Sequence, residues 1–275
     1  MSSPRQFGRT TAPPAQMVAY GFFLVLGISS CMQGPAKHTI KPAPPILPVH
    51  VSPEQWSRLP RTTTFTTIHK APQDPQPFEF TDGHVLHPTK DRVIFTRPGG
   101  PALAVLPSRE LRSPTWVPVV RTLPGWHQVL LPSKPNRSSG WIYAEGGGLQ
   151  NAYSAYRIHI ELKAHRLTLH DAGHHLRSWT VAVGARATPT PTGRTFLLAS
   201  LYPDRPTYSP RILPLGTHSS TLDSYGGGSG TVALHGWPDK SVFGREVSHG
   251  CVRIPPTALR LLSRIPLGTS VLISR

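Results

Sequence analysis

The chain has 275 residues, with 29 Lys and Arg against 13 Asp and Glu for a net charge of +16, and its 32 prolines and 24 glycines exclude a uniform helical bundle or a long coiled coil. Its 38% apolar residues and six Trp are enough to build one or two cores, which excludes wholesale disorder. The positive excess calls for an anionic partner, whether nucleic acid, acidic lipid or acidic wall polymer. It is spread as +2 over residues 1–31, +6 over 32–154 and +8 over 155–275. No run of five or six adjacent bases marks a nucleic-acid tail, so the expectation is a polyanionic matrix and no nucleic acid.

Met17 to Ile28 is a twelve-residue apolar stretch behind a polar leader that carries Arg5 and Arg9. It is too short for the ~20 residues that span a bilayer and fits the apolar region of an export signal. Ile28-Ser29-Ser30-Cys31 follows, and small residues before a Cys resemble the lipobox of bacterial lipoproteins, in which that Cys is acylated. An ordinary cleaved signal and an uncleaved anchor are the alternatives. All three place the rest of the chain outside the membrane, in the cell envelope. Residues 1–31 are thus expected to be a leader, with Cys31 the lipidation site. Residues 32–53, rich in proline and without apolar period, are expected to be an extended spacer.

With Cys31 lipidated or removed, Cys251 is the sole thiol of an exported protein. No intramolecular disulfide is then possible, and a reactive role is the first explanation to test.

Residues 54–90 give no clear signal. From Asp91 to Tyr143 the chain reads as short strands, Val93–Phe95, Val117–Val120, Trp126–Leu131 and Gly140–Tyr143, separated by Pro- and Gly-rich turns. Several aromatics among few strands suggest a small barrel. With Gly125-Trp126 and Gly140-Trp141 flanking the run Leu131 to Ser139, residues 91–145 resemble the SH3-like modules of bacterial envelope proteins. Trp126 and Trp141 are expected to fill its core rather than bind wall polymer.

The last 120 residues turn to hairpins. Ile158, Ile160 and Leu162 alternate with polar residues, Leu167 and Leu169 follow, and Asp171-Ala172-Gly173-His174 turns the chain into Trp179, Val181 and Val183. The run Thr188 to Gly193 breaks the pattern before a strand at Thr195 to Ala199. A glycine-rich loop from Tyr225 to Gly230 precedes Thr231-Val232-Ala233-Leu234-His235-Gly236. The chain then reaches Ser248-His249-Gly250-Cys251-Val252-Arg253, and Pro255-Pro256 start a short amphipathic helix.

A thiol is mostly protonated at neutral pH and needs a base to become a nucleophile. His249, two residues upstream, has little freedom to aim a lone pair at the sulfur, whereas His235 arrives on a separate strand and is the better general base. Gly250 lets backbone approach a substrate, and the N–H groups of Gly250 and Cys251 suit an oxyanion. Arg253 offers bidentate geometry for a carboxylate. The rival is zinc, with His235, His249 and Cys251 as three ligands and one open position. Spacing leaves it open, although no second Cys and no carboxylate accompany the motif.

The stretch from His235-Gly236 to Ser248-His249-Gly250-Cys251-Val252-Arg253, preceded by Val183-Gly184 and Pro189-Thr190-Pro191-Thr192-Gly193-Arg194-Thr195-Phe196, resembles the catalytic domain of the L,D-transpeptidases (YkuD family). The resemblance covers residues 155–275 and implies a mainly β fold: a β-sandwich-like catalytic domain with a short helix, behind the small SH3-like barrel. It implies that Cys251 attacks the carbonyl of an L-centred diamino acid in a peptidoglycan stem peptide, expels the terminal D-Ala and passes the acyl group to a neighbouring amine. Carried over, Cys251 is the nucleophile and His235 the proton carrier. The Gly236 carbonyl orients His235, and His249, Gly250 and Cys251 frame the oxyanion site. Ser248 and Arg253 are assigned to substrate binding, Arg253 standing where other members have Asn. No cofactor and no metal are expected. The expected partners are stem peptides, anionic wall polymers and the membrane at the N-terminus. An L,D-carboxypeptidase on the same stems and a catalytically silent wall-binding protein are the alternatives. The twelve residues between His235 and Ser248 imply a small lid over the thiol.

Overall fold

Alternating apolar residues and frequent Pro-Gly turns give a chain whose regular structure is mainly strand. In the computed structural model the described residues are 44–204, 207–224 and 228–275, and Pro44–Arg275 belong to one compact unit. The leader 1–31, its Cys31 and the first part of the spacer fall outside the described residues. Among the described residues no helix is long and apolar enough to cross a membrane.

The upstream half is built on a seven-stranded sheet in the order Ala102–Leu106, Arg92–Phe95, Ser139–Tyr143, Trp126–Leu130, Val117–Leu123, His84–Pro88 and Leu149–Tyr153. All its pairings are antiparallel. The strands at 84–88 and 149–153, which flank the stretch 91–145, pair with each other over five residues. Residues 54–90, silent in sequence, also carry most of a capped helix, Pro53–Arg58. Trp126 is fully buried, Trp141 is 6% exposed, and both pack with Phe95; the Trp126 indole N–H donates to the Ile46 carbonyl at 2.7 Å. Both Trp are therefore core residues, as expected for large aromatics in a small apolar interior.

The downstream half has two main sheets around a second core, beside a two-stranded pairing of Val183–Gly184 with Glu246–Ser248. One runs His174–Thr180, Arg166–Asp171, Tyr156–Glu161, Ser270–Ser274 and Gly193–Phe196. Within it the C-terminal strand lies parallel to Tyr156–Glu161, so the two ends of the domain close on each other. The other holds Ile212–His218, Thr231–His235 and the two-residue Val252–Arg253. Ile158, Ile160, Leu167, Leu169, Leu213, Leu215, Leu234 and Val252 fill the space between them. The helix Pro256–Leu262, started by its prolines, closes this core with Ala258, Leu259 and Leu262.

The halves are joined through their interiors. Gly193–Phe196 sends Phe196 into the upstream core, with Leu198 and Ala199 behind it, against Leu86, Leu106 and Val129. Beside them the Arg194 guanidinium and the Asp74 carboxylate form a fully buried pair, with Nε to Oδ2 at 2.8 Å. A two-residue hairpin, Arg109–Glu110 with Ser113–Pro114, places Leu111 and Arg112 at φ 46° and 62°. Non-glycine residues in that region carry strain, and the surrounding structure has to hold them there.

Candidate active site

Three local features bring the sequence-identified residues together. Thr231–His235 runs parallel to Val252–Arg253, with Leu234 opposite Val252 and His235 opposite Arg253. Side chains alternate across a strand, so Ala233, His235, Cys251 and Arg253 fall on one face. Ala233, His235 and Cys251 then line a single cleft of about 610 Å³.

The turn that presents Cys251 is shaped by Ser248 and by the Thr-Pro-Thr-Pro loop. Ser248 Oγ donates to the Cys251 carbonyl at 2.5 Å and accepts the Gly250 N–H at 3.1 Å. Thr190 Oγ1 donates to the Gly250 carbonyl and Thr188 Oγ1 to the Ser248 carbonyl, each at 2.9 Å. Gly250 has φ 112°, a conformation open to glycine and costly for other residues. Gly184 closes the arrangement from below: its N–H donates to Thr190 Oγ1, and a Cβ there would lie 2.3 Å from the Thr188 carbonyl oxygen. The motif blocks before and after residue 200 are thus two sides of one scaffold.

His235 is 4% exposed, and its Nδ1 lies 2.8 Å from the Gly236 carbonyl oxygen. A carbonyl only accepts, so Nδ1 carries the hydrogen and Nε2 keeps a lone pair. The Gly236 N–H in turn donates to Ser209 Oγ at 2.8 Å, and Ser209 Oγ donates to the Arg211 carbonyl at 2.6 Å. Tyr208 packs edge-on to the His235 ring at 4.8 Å, and Trp237 lies 5.2 Å from Tyr208. Burial pushes the His235 imidazole below its ordinary value, helped by the Arg253 charge and opposed by the Gly236 carbonyl. Burial pushes the Cys251 thiol up, against the pull of backbone hydrogen bonding at Ala233 and of the Arg253 charge. Both groups therefore rest neutral near pH 7.

The other sequence-assigned residues take distinct places. His249 is exposed on the turn. Ser248, expected to touch substrate, is 2% exposed, and its hydroxyl is engaged inside the turn. Arg253, expected to meet a carboxylate, is 8% exposed with its guanidinium 3.7 Å over the Trp237 ring. It acts on the cleft through its charge. Among the described residues no group of three His, Cys, Asp or Glu side chains is placed to hold a metal ion.

Sequence reasoning did not find Ser209, Tyr208 or Trp237 around His235, nor Thr64, Phe65 and Leu111, which line the Cys251 cleft from the upstream half. Trp237 stands two residues after His235, and an aromatic so close to a strand-end histidine was the available signal. Thr64 sits in the run Thr62-Thr63-Thr64-Phe65-Thr66-Thr67, which has no pattern that ties it to residues 170 positions on.

The family profile of the L,D-transpeptidase catalytic domain (YkuD) matches residues 155–273. The chain is 29% identical over 153 residues to the YkuD protein of Bacillus licheniformis, covering 54% of this chain and 86% of that one. It is 28% identical over 152 residues to the Bacillus subtilis YkuD protein, covering 53% and 85%. Among solved structures, an L,D-transpeptidase from Mycobacterium smegmatis is similar with 17% identity and a TM-score of 0.40, over 58% of this chain and 82% of that one. The Enterococcus faecium catalytic domain is similar with 20% identity and a TM-score of 0.34, over 43% and 95%. Residues 155–273 of this chain belong to the YkuD family of L,D-transpeptidase catalytic domains.

Proposed function

We propose that the chain is a peptidoglycan L,D-transpeptidase that works through a cysteine acyl-enzyme, with Cys251 as nucleophile and His235 as the group that moves the proton. The observation that carries this reading is His235, oriented through Gly236, lining one cleft with the only cysteine among the described residues.

In the first half-reaction Nε2 of His235 takes the thiol proton as Cys251 Sγ attacks the carbonyl of the L-centred diamino acid. The tetrahedral oxyanion is met by the Cys251 N–H. The Gly250 N–H, which donates to Ser248 Oγ at rest, stands beside it on the same turn. Collapse breaks the bond to D-Ala, whose amine receives the proton from His235, and leaves a thioester. An amine of a second stem then attacks the thioester, gives its proton to His235 and receives the acyl group as the thiolate is reprotonated. Since both groups start neutral, the proton moves with the attack and no ion pair has to be formed beforehand.

This reading also holds the enzyme outside the membrane, with Cys31 as lipid anchor, a proline-rich spacer, an SH3-like module at residues 91–145 and a cationic surface near anionic wall polymers. The test is incubation of the purified protein with disaccharide-tetrapeptide stems and mass analysis of the products. Cross-linked dimers with release of D-Ala support transpeptidation. Tripeptide alone makes the protein an L,D-carboxypeptidase, and unchanged stems overturn the reading.

A further inference from the structure

Phe65 and Leu111 line the Cys251 cleft although both lie well upstream of the residues that match the catalytic family. They are held there by a connected set of contacts. The Thr64 carbonyl accepts from His218 Nε2 at 2.8 Å, and Thr64 Oγ1 bonds to Thr231 Oγ1 on the same strand as His235. The Thr64 N–H donates to the buried carboxyl of Glu110. Glu110 immediately precedes the hairpin tip Leu111-Arg112, and Arg112 reaches Asp204 at 3.1 and 3.3 Å. Neither tip residue is Gly or Asn, yet both have positive φ. A strained turn tied at both ends fixes where Leu111 projects. Beside it Phe65 is 65% exposed, an unusual state for an aromatic ring that has a core within reach.

The chemistry of the cleft says what that wall meets. Among its described lining residues there is no Lys, Arg, Asp or Glu. Around Cys251 the walls are apolar or hydroxyl-bearing, Phe65, Leu111 and Leu201 among them. Such a surface gains from burying uncharged peptide.

We propose that Phe65 and Leu111 are specificity-determining residues, and that this upstream wall grips the uncharged peptide next to the bond attacked by Cys251. The proposal rests on the cysteine reading above for the position of the scissile bond. It means that the upstream half completes the active-site cleft, in place of a long lid between His235 and Ser248.

The test uses the full chain carrying Phe65→Ala, Phe65→Leu or Leu111→Ala. Each variant is labelled at Cys251 with a neutral N-acetyl dipeptide chloromethyl ketone and, separately, with iodoacetamide. The half-saturating concentration of the dipeptide reagent is expected to rise about five- to tenfold in the Ala variants, with Phe65→Leu between them and the parent. The iodoacetamide rate is expected to stay within about twofold, since that reagent needs the thiol and no wall. An unchanged half-saturating concentration overturns the proposal, and so does an equal fall in both labelling rates, which marks a distorted thiol. Phe65 is exposed, so its truncation leaves the core intact and decides the matter even if Leu111→Ala fails to fold. Stem turnover is measured in parallel: its absence in the parent protein speaks against the transpeptidase reading, while dipeptide labelling still reports on the wall.

Discussion

The Nδ1–H of His235 donates to the Gly236 carbonyl at 2.8 Å, and the Gly236 N–H is itself held by Ser209 at 2.8 Å. The tautomer of His235 is thus fixed by a neighbour that is fixed in turn. Burial lowers the imidazole and raises the thiol, so the pair rests as neutral thiol and neutral imidazole.

A pH profile reads this directly. With His235 as the proposed base, kcat/KM on a soluble stem is expected to rise with pH through a midpoint below the ordinary histidine value of 6.5. Labelling by iodoacetamide needs thiolate, and its midpoint is expected above the ordinary thiol value of 9.0. Two well-separated midpoints agree with proton transfer during attack. A labelling midpoint below neutrality would show a preformed thiolate–imidazolium pair instead.

Ser248 is expected to matter through the turn. Ser248→Ala removes the acceptor of the Gly250 N–H and the donor to the Cys251 carbonyl, at a cost of about 1–2 kcal/mol in stability. Turnover is expected to fall about tenfold through kcat with KM little changed, because the side chain holds the nucleophile and the donors beside it. A rise in KM alone would return Ser248 to substrate contact.

The Asp74–Arg194 pair is expected to dominate the join between the halves. Both side chains are buried, at 0% and 1% exposure, so Asp74→Asn leaves an uncompensated guanidinium and should cost about 3–5 kcal/mol in denaturant unfolding. A loss under about 1 kcal/mol would mean that water or a local shift already screens the pair.

Glu110 gives the fold its own pH dependence. Burial raises this carboxyl from 4.5 to about 7, and its Oε2 has no hydrogen-bond partner among the described residues. A carboxyl raised in the folded state contributes most below its unfolded value, and that contribution is lost as pH rises from about 4.5 through about 7. Glu110→Gln keeps the acceptor for Thr64 and stays neutral, so it is expected to gain on the parent by about 3 kcal/mol between pH 5 and pH 8. A constant difference between variant and parent across that range would place the Glu110 carboxyl at an ordinary value.

The residues gathered around Cys251 were more legible in the sequence than the walls of the cleft. His235, Gly236, Ser248 and Cys251 fall in short runs whose residue types limit what the backbone can do, and Gly184, Thr190 and Gly250 share that property: the structure brings all of them onto one scaffold. The alternation at Ile158, Ile160, Leu167 and Leu169 marked strands that form one side of the core. What sequence could not show was a contact between segments with no shared pattern. Thr64 meets Thr231 across 167 residues, and Leu111 enters the cleft from a turn whose residues carry none of the usual Gly or Asn signals. Bidentate chemistry suggested a substrate carboxylate for Arg253, but its packing was not legible: the strand register buries the side chain beside Trp237.

The most direct measurement is the mass of the protein quenched in acid during reaction with a tetrapeptide stem in the absence of acceptor. A tripeptidyl thioester confined to the proteolytic fragment that contains Cys251, absent from Cys251→Ala and slow to form in His235→Ala, is the predicted result. Stem turnover by Cys251→Ala at the parent rate, or an adduct on any other residue, would contradict it.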